Sequence, residues 1–225
     1  MTIDSPINLL LPASSLPGRA RKNDDIFARG AIADKPFAYL YEQQHVEVVH
    51  GPSFVASKEL FVDRCLTDSV PITERRGGGG TVVLSPGTLV IVAVGERREG
   101  GREWAQSVFR RVNGAIIAAL LKAGIDGAAE AGISDIAVGG RKALGSSLYM
   151  GSRPPLFYYQ SSLMVSNDLG LMDKYLRHPP REPDYRGGRG HGEFCTTLTG
   201  CGLTVGMDEL IRLIEAELMD RLGAA

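Results

Sequence analysis

Two arginines followed by four glycines are the strongest chemical signal in this sequence. Arg75 and Arg76 precede the run Gly77–Gly80, which leads into an apolar segment, Thr81–Leu84. Glycine loses much conformational freedom on folding, so such a run is tolerated chiefly where the backbone turns sharply or approaches a ligand closely. Backbone N–H groups beside guanidinium donors would suit a phosphate or a carboxylate. A flexible surface turn is the alternative interpretation.

A lysine between two turns of small residues is the second signal. Lys142 follows Gly139 and Gly140, which predict a tight hairpin turn, and it precedes Gly145. Its ammonium group can point into a cleft, and Gly145 lets a ligand lie against the backbone. Asp135 could orient this lysine or hold Mg²⁺. The alternative is a solvated charge at the edge of a sheet.

The segment Arg181–Leu198 is the third signal, because it interleaves basic, aromatic and glycine residues without a period. A stretch of this kind would suit a mobile lid that closes over a nucleotide or docks a partner. Its candidate contact residues are Arg186, Arg189 and His191. A solvated loop of alternating charge is the alternative interpretation.

Composition and cysteine usage predict a cytoplasmic globular protein. Apolar residues make up 44% and charged residues 23% of the 225 positions, which excludes a disordered or fibrous chain. The net charge of −1 gives the whole chain no attraction to nucleic acid or anionic lipid. Cys65, Cys195 and Cys201 lack zinc-site spacing, so reduced thiols are expected. Neither a membrane helix of roughly 20 apolar residues nor a signal peptide is expected.

The elements that must position these residues follow from apolar periodicity and turn signals. Helices are expected from an N-cap at Asn23 to Ala33, and over Lys58–Arg64, Arg102–Ala123, Leu169–Leu176 and Met207–Leu222. Strands are expected over Phe37–Tyr41, Val46–His50, Thr81–Leu84, Leu89–Val94, Ile136–Val138, Lys142–Met150 and Leu156–Val165, the first two paired with each other. The prediction is an α/β (α+β) sheet with packed helices, forming one domain over residues 23–225 after an irregular arm over residues 1–22.

In this order, the motifs resemble the lipoate–protein ligase A family. The family's arginine and glycine-triplet motif before a strand is matched by Arg75–Val82. Its Asn-Asp motif is matched by Ser134 and Asp135, and its Lys-x-x-Gly-Ser motif by Lys142–Ser146. The resemblance covers roughly residues 36–220. The glycine run and the spaced lysine are specific as a pair, although each alone is weak.

The resemblance implies a mixed, mainly antiparallel sheet like that of the biotin/lipoate ligase catalytic domains. It implies that lipoate or octanoate reacts with ATP, in the presence of Mg²⁺, to an acyl-adenylate, and that the acyl group passes to a lysine of a lipoyl carrier protein. Lys142 would be catalytic, because a fixed cation stabilises developing oxyanion charge. Asp135 would be a candidate Mg²⁺ ligand. The implied substrate- and nucleotide-binding residues are Arg75, Arg76, Gly77, Gly78, Gly79, Gly80, Thr81, Val82, Ser134, Asp135, Gly145 and Ser146.

The sequence departs from the family pattern at three places. Leu84 and Ser85 stand where the ligases usually have a His-Asp pair, and Ser134 replaces asparagine. No small C-terminal accessory domain is expected after the catalytic domain, so a separate accessory subunit could complete the adenylation site. One alternative is an octanoyltransferase that acts through a cysteine thioester, although Cys195 and Cys201 do not occupy the position of its nucleophile. The other is a catalytically weak subunit that binds lipoyl groups or carriers.

Overall fold

Two β-sheets organise the computed structural model, which describes residues 21–97 and 105–223. The strands of the described residues are β1 (Phe37–Glu42), β2 (Glu47–His50), β3 (Ile72–Glu74), β4 (Val82–Leu84), β5 (Thr88–Glu96), β6 (Ala128–Ala131), β7 (Asp135–Val138), β8 (Arg141–Ser152) and β9 (Pro155–Met164). The larger sheet has six antiparallel strands in the order β1-β5-β9-β8-β7-β6. The smaller sheet has the order β3-β2-β4, with β2 and β3 parallel.

Two long helices cover one face of the larger sheet. The helices of the described chain are α1 (Asp24–Ile32), α2 (Ala56–Glu59), α3 (Val62–Thr67), α4 (Ala105–Lys122), α5 (Gly170–Tyr175), α6 (His191–Phe194) and α7 (Met207–Gly223). In α4 and α7, apolar residues three and four positions apart are buried against alternate residues of β5 and β9. The opposite face of the sheet packs against α1 and the smaller sheet. That second face carries the candidate site.

The predicted fold class is confirmed, and most predicted elements occur within a few residues of their expected bounds. Gly139 and Gly140 form the turn between β7 and β8 with φ angles of 56° and 74°, the left-handed conformation that favours glycine in a tight hairpin. The long helix begins at Ala105 in the described chain, whereas its expected start, Arg102–Trp104, lies outside the described residues. Residues 1–20 of the expected arm also lie outside them.

The expected pairing of the first two strands is wrong. β1 pairs with β5 in the larger sheet, whereas β2 lies in the smaller sheet between β3 and β4. All four residues of β2 are buried, so both of its edges and both of its faces need partners. A hairpin with β1 would leave this need unmet. β3 and β6 were not expected, because each is only three or four residues long.

Two helix predictions need correction. The expected helix Lys58–Arg64 is broken into α2 and α3 at Leu60, which is fully buried and forms a β-bridge with Leu176. The helix is interrupted here because the Leu60 side chain is buried in the core beneath the smaller sheet. Asn23 has a φ of 61° and makes no side-chain cap; its side chain instead accepts a hydrogen bond from the Tyr41 hydroxyl at 2.8 Å.

No helix in the described part of the chain is both long enough and apolar enough to cross a membrane.

A buried hydrogen bond between the sheet and α4 gives a stability prediction. The Tyr159 hydroxyl donates to Asn113 Oδ1 at 2.7 Å, and both residues are buried. Tyr159→Phe leaves the buried Asn113 oxygen without this donor, so we expect the free energy of unfolding to fall by about 1–3 kcal/mol in urea denaturation. Tyr149→Phe, at an exposed position of β8, is the control and should change it by less than about 0.5 kcal/mol. Equal effects of the two substitutions would contradict this account.

Candidate active site

The glycine loop, Gly77–Gly80, is folded around the side chain of Arg75. Arg75 is only 6% exposed, and its guanidinium donates to the carbonyl oxygens of Gly78 (2.9 Å), Gly80 (2.7 Å) and Val49 (3.2 Å). The loop therefore turns carbonyl groups inward. In the part of the chain that the structure describes, no amide of the loop donates a hydrogen bond. Gly78, Gly79 and Gly80 are exposed, whereas Gly77 is buried.

Two of the four loop positions, Gly77 and Gly79, require glycine for steric reasons. A Cβ atom at Gly77 would lie 2.8 Å from Ser147 Oγ and 3.0 Å from Leu148 N, both on β8. Gly79 has a φ of 99°, which strains any residue with a side chain. The glycine run is thus a structured loop that lies directly on the sheet, and the alternative of a flexible surface turn does not fit it.

The two arginines face the protein. Burial lowers the pKa of Arg75 to about 10, because its charge has only neutral acceptors in direct contact. Arg76 forms an ion pair with Asp24 at 2.7 Å and lies over the ring of Phe27 on α1. This differs from the expectation of guanidinium donors beside the glycine loop. The donors that the loop presents are its own amides, and Arg75 holds them in place.

A cleft lies between the larger sheet, the smaller sheet and the segment from α5 to α6. Its volume is ≈ 710 Å³, including space open to solvent. The sequence-predicted residues that line it are Thr81, Val82, Lys142, Gly145, Arg186, His191 and Cys195. Sequence reasoning missed its apolar walls, which are formed by Val83, Met164, Met172, Leu176 and Phe194. These apolar residues come from separate parts of the chain, so no local sequence pattern could have identified them as cleft residues.

Other predicted residues lie outside the cleft lining. Ser134 and Ser146 bond each other across the β7–β8 hairpin, with Ser146 Oγ donating to the Ser134 carbonyl oxygen at 2.6 Å. Arg189 donates to the carbonyl oxygens of Tyr185 and Gly140. These three side chains hold the surrounding backbone.

Lys142 and Asp135 form an ion pair beside the cleft. Asp135 is the first residue of β7 and Lys142 the second residue of β8, and Lys142 Nζ lies 2.8 Å from Asp135 Oδ1. The lysine side chain is 24% exposed, and the aspartate side chain is 10% exposed. Asp135 Oδ2 accepts a hydrogen bond from the Tyr185 hydroxyl at 2.9 Å. The aspartate thus holds the lysine at the cleft wall.

The expectation that Asp135 binds a resident Mg²⁺ does not fit this arrangement. Both of its oxygens already have partners, a cation and a hydroxyl donor. Within residues 21–97 and 105–223, no group of three or more His, Cys, Asp or Glu side chains could hold a metal ion. Asp135 therefore orients the lysine, which is the other role that the sequence suggested.

The segment that the sequence suggested as a lid is docked on the hairpin. Thr196 N donates to the Lys142 carbonyl oxygen at 2.8 Å, and Arg141 donates to the Gly192 carbonyl oxygen at 2.8 Å. Arg186 is 4% exposed, and its Nη2 has no hydrogen-bond partner among the described residues. Lys142, Arg177 and Arg186 thus give the cleft three cationic side chains from different parts of the chain.

Two further titratable groups of this segment are buried at the cleft. Burial lowers the pKa of His191, although its Nδ1 lies 2.9 Å from Asp173 Oδ1. Burial also raises the pKa of the Cys195 thiol, and the nearby Lys142 cation only partly opposes this. A cysteine nucleophile needs a lowered pKa. The environment of Cys195 therefore favours an unreactive thiol.

Gly145 leaves the space in which the Lys142 side chain lies. A Cβ atom at Gly145 would be 2.8 Å from both Cε and Nζ of Lys142. We expect Gly145→Ala to displace the amine from Asp135, with little loss of stability because a lysine side chain can move. Acetylation of Lys142 by a succinimidyl ester should then become at least about threefold faster relative to Lys174, measured by peptide mass spectrometry.

Gly206→Ala is the matched control, because an added Cβ there meets no atom within 4 Å. It should leave the labelling ratio unchanged. An unchanged ratio in Gly145→Ala would show that the lysine does not depend on this space.

Solved structures of lipoate ligases share this fold. A Thermoplasma acidophilum protein with bound lipoic acid is 22% identical, with a TM-score of 0.69 over 85% of this chain and 74% of that chain. The bipartite lipoate protein ligase of an archaeal lipoylation system from the same organism is 22% identical, with a TM-score of 0.71 over 85% and 72%. A lipoate-protein ligase A bound with ATP is 23% identical, with a TM-score of 0.69 over 85% and 74%.

Among curated proteins, none matches this chain significantly. The family model of the lipoyl protein ligase A/B catalytic domain matches residues 22–219, nearly the whole chain. The motifs that carry the resemblance, the glycine loop and the Lys142 hairpin, both lie within this range; the loop packs on β8 through Gly77, whereas only the hairpin lines the cleft. The chain therefore belongs to the lipoyl protein ligase A/B catalytic-domain family.

Proposed function

We propose that this protein is a lipoate–protein ligase that activates lipoate or octanoate with ATP and transfers the acyl group to a lysine of a lipoyl carrier protein. The observation that carries the proposal is the oriented Lys142 amine at the wall of a largely apolar cleft. Its support comes from family membership and from neighbours of the same fold that were solved with lipoic acid or with ATP.

The cleft suits a medium-chain acid. Its apolar walls would enclose the acyl chain, while the cations Lys142 and Arg186 would attract the carboxylate and the phosphates. The methionines Met164 and Met172 are flexible and polarisable, so they can fit either a dithiolane ring or a straight chain. The free amides of the glycine loop would bind a further anionic group. A bound anion there would also offset the cost of burying the Arg75 charge.

The proposed chemistry has two steps. A carboxylate oxygen of the acid attacks the α-phosphorus of ATP. The phosphoanhydride bond between the α- and β-phosphates breaks, and pyrophosphate leaves. The carrier lysine amine then attacks the acyl carbon, loses a proton and displaces AMP to form an amide. Lys142 would stabilise the developing negative charge in both steps, since a preorganised cation is most effective where water is excluded. Mg²⁺ would enter with ATP as part of the substrate.

A second subunit is part of the proposal. Leu84 and Ser85 in place of the His-Asp pair remove polar groups that the family ligases usually have after the glycine motif. We propose that the catalytic domain works with a separate accessory subunit and with a lipoyl carrier in the cytoplasm. The bipartite ligase and E2 lipoyl domain of the Thermoplasma acidophilum system support this arrangement.

Lys142→Ala should abolish acyl transfer without unfolding the protein. The Lys142 side chain is 24% exposed, and Asp135 keeps its hydrogen bond from Tyr185 when the lysine is truncated, so the fold should persist. Loss of an oxyanion-stabilising group lowers turnover by about 10²–10³-fold. The measurement is the mass increase of an apo lipoyl carrier domain with ATP, Mg²⁺ and lipoate. Lys174→Ala, which removes another aspartate-paired lysine, is the control and should retain activity. Transfer by Lys142→Ala at the wild-type rate would refute the assignment.

Cys195→Ser tests the octanoyltransferase alternative. Because burial raises the pKa of this thiol, we expect the substitution to change ATP-dependent transfer by less than about threefold. The same carrier assay is run in a second arm with octanoyl-acyl carrier protein and no ATP. Transfer in that arm, lost in Cys195→Ser, would establish a thioester mechanism instead.

A further inference from the structure

Tyr185 is hydrogen-bonded to Asp135, the acidic member of the ion pair with Lys142. Its hydroxyl donates to Asp135 Oδ2 at 2.9 Å, while Asp135 Oδ1 lies 2.8 Å from Lys142 Nζ. The three groups form a chain of hydroxyl, carboxylate and ammonium. Burial and the aspartate charge raise the pKa of Tyr185, so its hydroxyl keeps the proton that it donates.

The backbone around Tyr185 fixes the position of its ring. The ring packs against Phe194 with centroids 5.0 Å apart. Arg189 donates to the Tyr185 carbonyl oxygen at 2.7 Å and to the Gly140 carbonyl oxygen at 3.3 Å. Tyr185 is therefore held on the β7–β8 hairpin only while its segment is docked there.

Asp135 needs this hydroxyl because it is buried. The residue is 8% exposed, and Tyr185 is the hydrogen-bond donor that the structure gives to Oδ2. A buried acceptor that loses its donor is costly, so the carboxylate would turn towards water to regain one. That rotation would release the Lys142 amine.

We propose that Tyr185 is a positioning residue that fixes Lys142 through Asp135, so that the lysine is aligned only when the segment carrying Tyr185 is docked. The catalytic effect of this arrangement rests on the proposed function, but the position of the Lys142 amine can be measured without turnover. The docked segment thereby forms part of the cleft wall and orients the lysine.

The structure supplies a matched control at a second tyrosine–aspartate–lysine cluster. The Tyr175 hydroxyl donates to Asp68 Oδ2 at 2.8 Å, and Lys174 Nζ lies 2.6 Å from the same atom. This cluster borders no residue of the Lys142 pair. Tyr175→Phe therefore removes the same kind of hydrogen bond without touching the cleft cation.

The first experiment is acetylation of the whole chain, without substrates, by a succinimidyl ester. In Tyr185→Phe the rate at Lys142 relative to Lys174 should rise at least about threefold, because the carboxylate no longer holds the amine. In Tyr175→Phe the ratio should stay within about twofold, because Asp68 is exposed and water can replace the lost donor. An unchanged or lower ratio in Tyr185→Phe overturns the proposal whether or not the protein is a ligase.

The second experiment is a double-mutant cycle on carrier acylation. Tyr185→Phe should lower kcat about tenfold with KM for lipoate within about twofold, since loss of a hydrogen bond to a charged group has this size. Combined with Asp135→Asn it should cause no further loss, because the tyrosine acts through the aspartate. Additive losses would show that Tyr185 acts elsewhere and would overturn the proposal.

Discussion

The ion pair between Lys142 and Asp135 is the interaction on which the candidate site depends. It links the first residue of β7 to the second residue of β8, and a two-glycine turn joins these two antiparallel strands, so one local hairpin positions the cation. Gly145 has no side chain where the Lys142 side chain lies, and Thr196 N donates a hydrogen bond to the Lys142 carbonyl oxygen. An amine held in this way needs no reorganisation to meet developing negative charge, which is the condition for strong electrostatic catalysis.

The conformation of the glycine loop depends on a second constraint, the burial of the Arg75 guanidinium charge. Arg75 cannot be placed inside the protein without acceptors, and the loop carbonyls provide them. The same backbone conformation leaves the loop amides without partners in the described chain. In the proposed function, Arg75 would contribute by shaping this backbone, whereas Lys142 would contribute its charge directly.

The sequence predicted what depends on local chemistry. The glycine run, the hairpin at Gly139 and Gly140 and the lysine after it are local patterns, and the structure has each of them as an ordered feature. Partnerships between distant segments were not predictable. The separation of β1 from β2 depends on which sheet can bury both faces of β2, and the break at Leu60 depends on a bridge to Leu176. The same holds for the direction of Arg76, which follows from Asp24 on α1. Such contacts join residues with no shared period, so no pattern in the sequence could report them.

The central claim, that this chain forms an acyl-adenylate, is tested most directly by pyrophosphate exchange into ATP. The chain and its accessory subunit are incubated together with ATP, Mg²⁺ and labelled pyrophosphate, with and without lipoate. A parallel reaction contains octanoyl-acyl carrier protein and a lipoyl carrier domain without ATP. The account predicts lipoate-dependent labelling of ATP and no acylated carrier in the parallel reaction. Acylated carrier without ATP, together with no exchange, would contradict it and identify a transferase.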